Sequence, residues 1–253
     1  MKAIIIAAGM GKRLKPLTDD CPKSMLPIDG KSILQRSIDT LLRNGVSRVA
    51  VIRGYCADKI KVDGPFEFFE NTDFERNNIL HSLFYAKDFI DEEVIISYSD
   101  ILYTDKVVAA AKEFQDQIGV VIDKNWQEIY IGRNEHPLSE AELALSNEDS
   151  VTLIGKNAVS ADEATGEFIG MIKLSVSGSE IFKNMYVKLI GKLKMNDEFQ
   201  RAEEFRNAYL TDFLQELIDQ GCNVKPIYID GGWMEIDTHQ DYQKAQTFYE
   251  VKS

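Results

Sequence analysis

The first side chains with chemistry in them follow an apolar run, Ile4-Ile5-Ile6. Ala7, Ala8, Gly9, Met10 and Gly11 come next, and the small residues among them offer little bulk to keep a ligand away from the backbone. Two cations, Arg13 and Lys23, lie close behind, near Pro16 and Pro22, which limit how the loop can bend. Free N–H groups and positive side chains at the end of a strand suit a polyphosphate. A second apolar run, Glu93 to Leu102, carries one acid near its end, Asp100. A carboxylate there is costly to desolvate without a partner, and it is well placed to hold a magnesium ion on nucleotide phosphates. Near the C-terminus stands Glu235-Ile236-Asp237-Thr238. Strand alternation puts Glu235 and Asp237 on one side, so one face can carry both acids. The three histidines, His81, His136 and His239, have no serine or cysteine arranged with them as a nucleophile–base pair.

Two familiar phosphate loops are excluded by single positions. The dinucleotide fingerprint needs a third glycine where this chain has Leu14, so a hydride-transferring enzyme is disfavoured. Gly30-Lys31-Ser32 supplies the tail of a Walker A loop, but Met25 sits where its first glycine belongs. The formal net charge of −12, with a pI of about 4.8, argues against a broad nucleic-acid or anionic-membrane surface and leaves room for a local cationic pocket. Cys21, Cys56 and Cys222 are scattered, without metal or disulfide spacing, which fits reduced thiols in a cytoplasmic protein. No signal peptide and no membrane-length apolar run is apparent.

The elements that must position these residues read as alternating strands and helices. Strands are expected at 48–52, 66–70, 93–102, 118–123, 151–156, 167–173 and 224–229, after the opening run. Helices are expected over 32–42, with Ser32 as cap and Gly45 as stop, from Asn77 or Asn78 onward, and over 106–114, 179–189, 203–218 and 239–249. The polar segment from Asp123 to Ala144 reads as an excursion over the site. This alternation predicts an α/β fold with a mostly parallel, mixed, Rossmann-like sheet flanked by helices. It is read as a single domain over 1–253, with a nucleotide part at about 1–123 and an acceptor part at about 124–253. Ligands bind such sheets at the carboxyl ends of their strands, and Asp100 and Asp237 are both expected at strand ends of that one sheet.

The loop from Gly9 to Pro27 spells G-x-G-x-R-L-x-P-L-T-x-x-x-P-K-x-M-L-P. It resembles the signature loop of nucleotidyltransferases that activate sugar phosphates and phosphocholine. Asn77-Asn78 with Ser82-Leu83, and Glu235-Ile236-Asp237-Thr238 with Asp241-Tyr242, are similar to segments of the cytidylyltransferase branch, including the phosphocholine, phosphonate and phosphoglutamine enzymes. The resemblance implies Arg13 and Lys23 as catalytic cations. It implies nucleotide contacts from Ala7, Ala8, Gly9, Met10, Gly11, Arg13, Lys23, Asn78, Ser82 and Ser99. Asp100 and Asp237 would hold Mg2+, although many relatives carry two acids where this chain has Tyr98-Ser99-Asp100. Lys156, Glu167 and Gly170 would border the acceptor, and Trp126, Tyr130 and Trp233 would suit a choline-like cation. The implied reaction moves CMP from CTP to a small phosphate or phosphonate acceptor and releases pyrophosphate. The partners are then CTP and that acceptor, with no nucleic acid or membrane, and a homo-oligomer is compatible. A hexose-1-phosphate enzyme using UTP, dTTP or GTP, and a non-catalytic nucleotide-binding protein of the same fold, are the alternatives.

Overall fold

The computed structural model describes residues 1–147 and 149–249. In chain order its elements are β1 (Lys2–Ala7), β2 (Pro27–Ile28), β3 (Lys31–Ser32), α1 (Ile33–Arg43), β4 (Arg48–Arg53), β5 (Phe66–Glu70), α2 (Ile79–Leu83), β6 (Val94–Tyr98), β7 (Ile101–Tyr103), α3 (Asp105–Glu113), β8 (Ile118–Asp123), α4 (Gln127–Tyr130), β9 (Glu142–Ser146), β10 (Val151–Lys156), β11 (Gly166–Leu174), α5 (Val176–Lys192), α6 (Leu210–Asp219), β12 (Val224–Ile229), β13 (Trp233–Glu235) and α7 (His239–Ala245).

The main sheet runs β5-β4-β1-β6-β11-β8-β12. β1 pairs in parallel with β4 and β6, β4 with β5, and β8 with β12. β11 is antiparallel to both of its long neighbours, β6 and β8, so those two still point the same way. The sheet is therefore mostly parallel with one reversed strand inside it. At its N-terminal end β11 also pairs with β9, which pairs with β10.

Alternation along β1 explains its unbroken apolar run. Ile4 and Ile6 enter one core, and Ala3, Ile5 and Ala7 enter the other. Both faces of the strand are covered, so no polar side is needed. α1 and α3 cover one face, through Leu34, Ile38 and Leu41 and through Val107, Val108 and Ala111. α2, α5 and α6 cover the other, with Leu80 and Leu83, Phe182 and Leu189, and Phe213 and Leu217. α1 starts where its cap predicts: Ser32 Oγ accepts from the Gln35 N–H at 3.1 Å. Gly45 follows its end at φ 85°, a left-handed turn that suits glycine. Among the described residues, no helix is long and apolar enough to cross a membrane.

Four expectations are corrected. The run from Glu93 to Leu102 is two strands: β6 ends at Tyr98, and β7 leaves the main sheet to pair with β13 in a two-stranded ribbon. Asp100 and Asp237 are thus joined by this ribbon and not by the ends of one sheet. The polar excursion closes earlier than expected, because Glu142–Ser146 is β9, a strand that pairing with β10 and β11 stabilises. The helix expected over 203–218 begins only at Leu210. Phe205–Asn207 is a separate short turn, and the Tyr209 N–H is taken by the Asp212 carboxylate at 2.8 Å. The last helix stops at Ala245.

Candidate active site

The loop after β1 opens into a cleft of about 450 Å³ that continues into a smaller recess of about 180 Å³. Gly9, Gly11, Lys23, Asn78, Tyr98 and Asp100 border both. Two glycines do different work in the loop. Gly11 sits at φ +61°, and a Cβ there would stand 2.8 Å from the Lys23 Cβ, so it lets the loop fold onto the lysine. A Cβ on Gly9 would meet nothing within 4 Å, so no protein contact requires that glycine and the space before it is open to a ligand.

Lys23 lies at the centre. Its Nζ is 2.7 Å from Asp100 Oδ2 and 2.5 Å from Asp237 Oδ1. The ribbon makes this convergence: Glu235 pairs with Ile101, and the Ile236 N–H donates to the Asp100 carbonyl at 2.8 Å. Burial on its own would lower the Lys23 pKa, but the two carboxylates outweigh it and hold the ammonium well above its ordinary range. Burial pushes Asp237 upward in turn, and Lys23 and Arg13 overcome that and hold it well below the usual carboxylate range. Arg13, at the exposed edge, reaches Asp237 Oδ2 at 2.5 Å and Glu140 at 3.6 Å. Glu235 is pushed well above its usual value by burial and then by the neighbouring charges of Asp237 and Asp100.

The segment between β8 and β9 folds over this centre and is tied down by Arg133. Its Nε donates to Asp241 at 2.7 Å, and a terminal nitrogen reaches Glu235 at 3.0 Å. Behind the centre, buried Asp123 accepts from the Trp233 indole N–H at 2.7 Å and the Gly231 N–H at 2.8 Å, which fixes the turn that delivers β13. His136 is buried between Glu235 and Asp237, 3.6 Å from each, and burial with the nearby Arg133 charge lowers it to about 4.

The far end of the cleft is built by β9, β10 and β11. Lys156 Nζ donates to Glu140 at 2.9 Å and lies 4.6 Å over the Tyr209 ring. Glu142 accepts from the Tyr98 hydroxyl at 3.1 Å and the Thr211 hydroxyl at 2.8 Å. Glu167 accepts from the Tyr130 hydroxyl at 2.7 Å through one oxygen, while its other oxygen is buried without a hydrogen-bond partner. Burial pushes Glu167 up to about 8. Gly170, at φ +80°, marks the irregularity in β11, and a Cβ there would come within 2.4 Å of the Tyr98 ring.

The cleft and its recess gather most of the residues singled out in the sequence. Gly9, Met10, Gly11, Arg13, Lys23, Asn78, Asp100, Lys156, Glu167, Gly170 and Asp237 border the cleft, and Ala7, Ala8, Ser82 and Ser99 border the recess. Asn78 also caps α2, accepting from the Ile79 N–H and donating to the Asn207 carbonyl, both at 2.8 Å. Ser82 accepts from Asn71 at 2.8 Å and donates to the Asn78 carbonyl at 3.1 Å, so its hydroxyl is already engaged. Trp126 and Tyr130 do not border the cleft. Trp126 is buried with Ala141, Leu143 and Val159, and Tyr130 stands behind Glu167 and holds it. The aromatic rings that do border it include Phe74, Tyr98, Tyr209 and Trp233. Sequence reasoning assigned no role to Glu140, Glu142 or Tyr98. Glu140-x-Glu142 at the start of an alternating segment is a faint signal, hidden by the polar residues before it.

The family model for nucleotidyl transferase matches residues 2–128. A CTP:phosphoglutamine cytidylyltransferase from Campylobacter jejuni is 34% identical over 254 residues, covering 96% of this chain and 98% of the relative. The bifunctional protein GlmU of Methanococcus aeolicus is 26% identical over 98% of this chain, which spans only 54% of that longer relative. Among solved structures, the inositol-1-phosphate CTP transferase from T. maritima superposes with a TM-score of 0.76 at 22% identity, covering 98% of this chain and 96% of that one. That likeness establishes the fold.

Proposed function

We propose, for a chain that belongs to the nucleotidyl transferase family, transfer of CMP from CTP to a small phosphate- or phosphonate-bearing acceptor. The one observation that carries this is the meeting of Lys23, Asp100 and Asp237 beside the open Gly9–Gly11 loop. The choice of CTP is supported by the 34% identical relative, whose name specifies that nucleotide. An acceptor oxygen attacks the α-phosphorus, the bond from that phosphorus to the bridging oxygen breaks, and pyrophosphate leaves. A phosphate or phosphonate oxygen is already ionised near neutral pH, so no general base is needed.

The backbone of Ala8 to Gly11 and the Arg13 guanidinium are positioned to hold the β- and γ-phosphates. Arg13 now spends its charge on Asp237 and Glu140 and would exchange those contacts for phosphate oxygens. Lys23, kept protonated by its two acids, is positioned to offset charge growing on the α-phosphate. Lys156 is positioned to steer the acceptor's phosphoryl group. The segment tied down by Arg133 brings His136 and Glu140 to the border of the cleft.

Asp100 and Asp237 are the residues that would hold a magnesium ion. They fit one: both offer hard oxygen donors, and Asp100 Oδ1 is buried with no hydrogen-bond partner. When bound, the ion supplies positive charge that stabilises the phosphoryl oxygens and the leaving group.

Pyrophosphate release tests the proposal, with magnesium and CTP, UTP, dTTP, GTP or ATP against phosphocholine, 2-aminoethylphosphonate, phosphoglutamine and glucose 1-phosphate. Release with CTP and one phospho- or phosphono-acceptor is expected. Release only with UTP, dTTP or GTP and glucose 1-phosphate would replace it by hexose-phosphate activation. Nucleotide binding without release from any pair would replace it by a non-catalytic role.

A further inference from the structure

Between β13 and α7 the chain passes through Ile236 and Asp237 before Thr238 caps the helix. The backbone N–H groups of this link are all engaged. The Ile236 N–H donates to the Asp100 carbonyl at 2.8 Å, and the N–H groups of Asp237 and Thr238 donate to one oxygen of Asp241, Oδ2, at 3.1 and 2.9 Å. Thr238 Oγ1 accepts the Asp241 N–H in return at 3.2 Å, which completes a capping box. Asp241 is 2% exposed. Its carboxylate also takes the Arg133 guanidinium, with Nε on Oδ1 at 2.7 Å and a terminal nitrogen on Oδ2 at 2.9 Å.

A helix cap needs only the exchange between Thr238 and Asp241. The bond from the Asp237 N–H lies outside that exchange, and it acts on the residue whose side chain works in the cleft. Asp237 divides its carboxylate between two cations, Oδ1 on Lys23 and Oδ2 on Arg13, both at 2.5 Å. An aspartate has a single methylene between backbone and carboxyl, so a shift of its backbone becomes a shift of its oxygens. One side of the link is held by the backbone of Asp100, the other acid of the site. On the other side Asp241 alone, among the described residues, receives the Asp237 and Thr238 N–H groups.

We infer that Asp241 is a positioning residue: through the Asp237 N–H it sets the direction of the Asp237 carboxylate, and with it the affinity for the divalent ion that this carboxylate would share with Asp100. This rests on the metal role given to Asp237 in the proposed reaction. The same Asp241 carboxylate anchors residues 124–141 through Arg133, and substitution separates its two tasks. Asp241→Asn keeps a carbonyl oxygen for the N–H groups but turns an NH2 towards Arg133, whereas Asp241→Ala removes both. A hydrogen bond that orients a metal ligand is worth about 10–100-fold in metal affinity.

Titration with Mn2+, followed through the paramagnetic resonance of the free ion, tests this beside the Tm of each variant. Mn2+ takes the same oxygen donors as magnesium. Asp241→Ala should raise the Kd for Mn2+ about 10–100-fold and Asp241→Asn by about threefold or less, while both open residues 124–141 to limited proteolysis. Ala245→Gly, which loosens the end of α7 without touching the Asp241 carboxylate, should lower the Tm and leave the Kd within about threefold. An unchanged Kd in Asp241→Ala, or a Kd raised as far by Asp241→Asn or Ala245→Gly as by Asp241→Ala, overturns the inference. Should Asp241→Ala fail to fold, amide exchange in the parent decides, because coupling is reciprocal. Mn2+ should slow exchange at Asp237 and Thr238, and unaltered exchange there overturns the inference. If the parent binds no Mn2+, the ion leaves the proposed reaction by itself, and the positioning is read against Lys23 instead. The Tm loss on Asp241→Ala should then be smaller in a Lys23→Ala background than in the parent, and an equal loss overturns the inference.

Discussion

Replacing Lys23 with alanine takes one cation away from two carboxylates at once. Asp237 keeps Arg13 at 2.5 Å, but Asp100 has no other lysine or arginine within 4 Å among the described residues. Removing one member of a buried ion pair costs about 3–5 kcal/mol, because the remaining charge is left uncompensated. Asp100 retains 24% side-chain exposure, so the lower end, about 3 kcal/mol, is expected. For a chain of this size that corresponds to a fall in Tm of about 6–12 °C. Catalysis should suffer separately, by a factor of about 10²–10³ in kcat, since a charge aimed at the reacting phosphate is gone. Differential scanning calorimetry and pyrophosphate release measure the two effects. Magnesium should raise the Tm of Lys23→Ala more than that of the parent, because a divalent ion can replace the ammonium between the two acids. Lys23→Arg should recover stability better than turnover. A Tm within about 1 °C of the parent together with turnover within about tenfold would refute the role given to Lys23.

Three further outcomes follow from the same geometry. Arg133→Met should lower stability by about 3–5 kcal/mol and expose residues 124–141 to limited proteolysis, since the 2.7 Å and 3.0 Å bonds to Asp241 and Glu235 anchor that segment; unchanged cleavage kinetics would refute the anchoring. Gly170→Ala should cost about 1–3 kcal/mol in denaturant unfolding and weaken acceptor use, because φ is +80° and the new methyl meets the Tyr98 ring; a neutral effect on both would count against the tight fit. Glu167, near 4.5 when unfolded and raised to about 8 by burial when folded, holds its proton longer in the native state. Its contribution to stability is therefore complete below about pH 4.5 and is lost as pH rises to about 8, with a slope of up to about 1.4 kcal/mol per pH unit. Glu167→Gln should flatten that part of the stability–pH curve, and an unaltered slope would sink the assignment.

The strand–helix alternation, the α/β class and the cap of α1 at Ser32 were legible in the sequence, because burial on both faces, amphipathic spacing and capping are local properties of the chain. So was the family, through the spacing of Arg13, Pro16, Pro22 and Lys23 in one continuous loop. Which atoms meet was decided by long-range pairing. Asp100 and Asp237 are 137 positions apart and converge on Lys23 only because β7 leaves the main sheet and takes β13 as its partner. Hydrophobicity does not register that break, since residues on both sides of it are apolar. Trp126 and Tyr130 are as aromatic in the sequence as Tyr98 and Trp233, yet the first two lie behind the wall and the second two form it. Composition likewise counts acids and cations without pairing them. Glu142 and Glu167, far apart in the chain, are brought together and buried by the pairing of β9 with β11, and among the described residues neither has a lysine or arginine within 4 Å, a placement that no local property of the chain records.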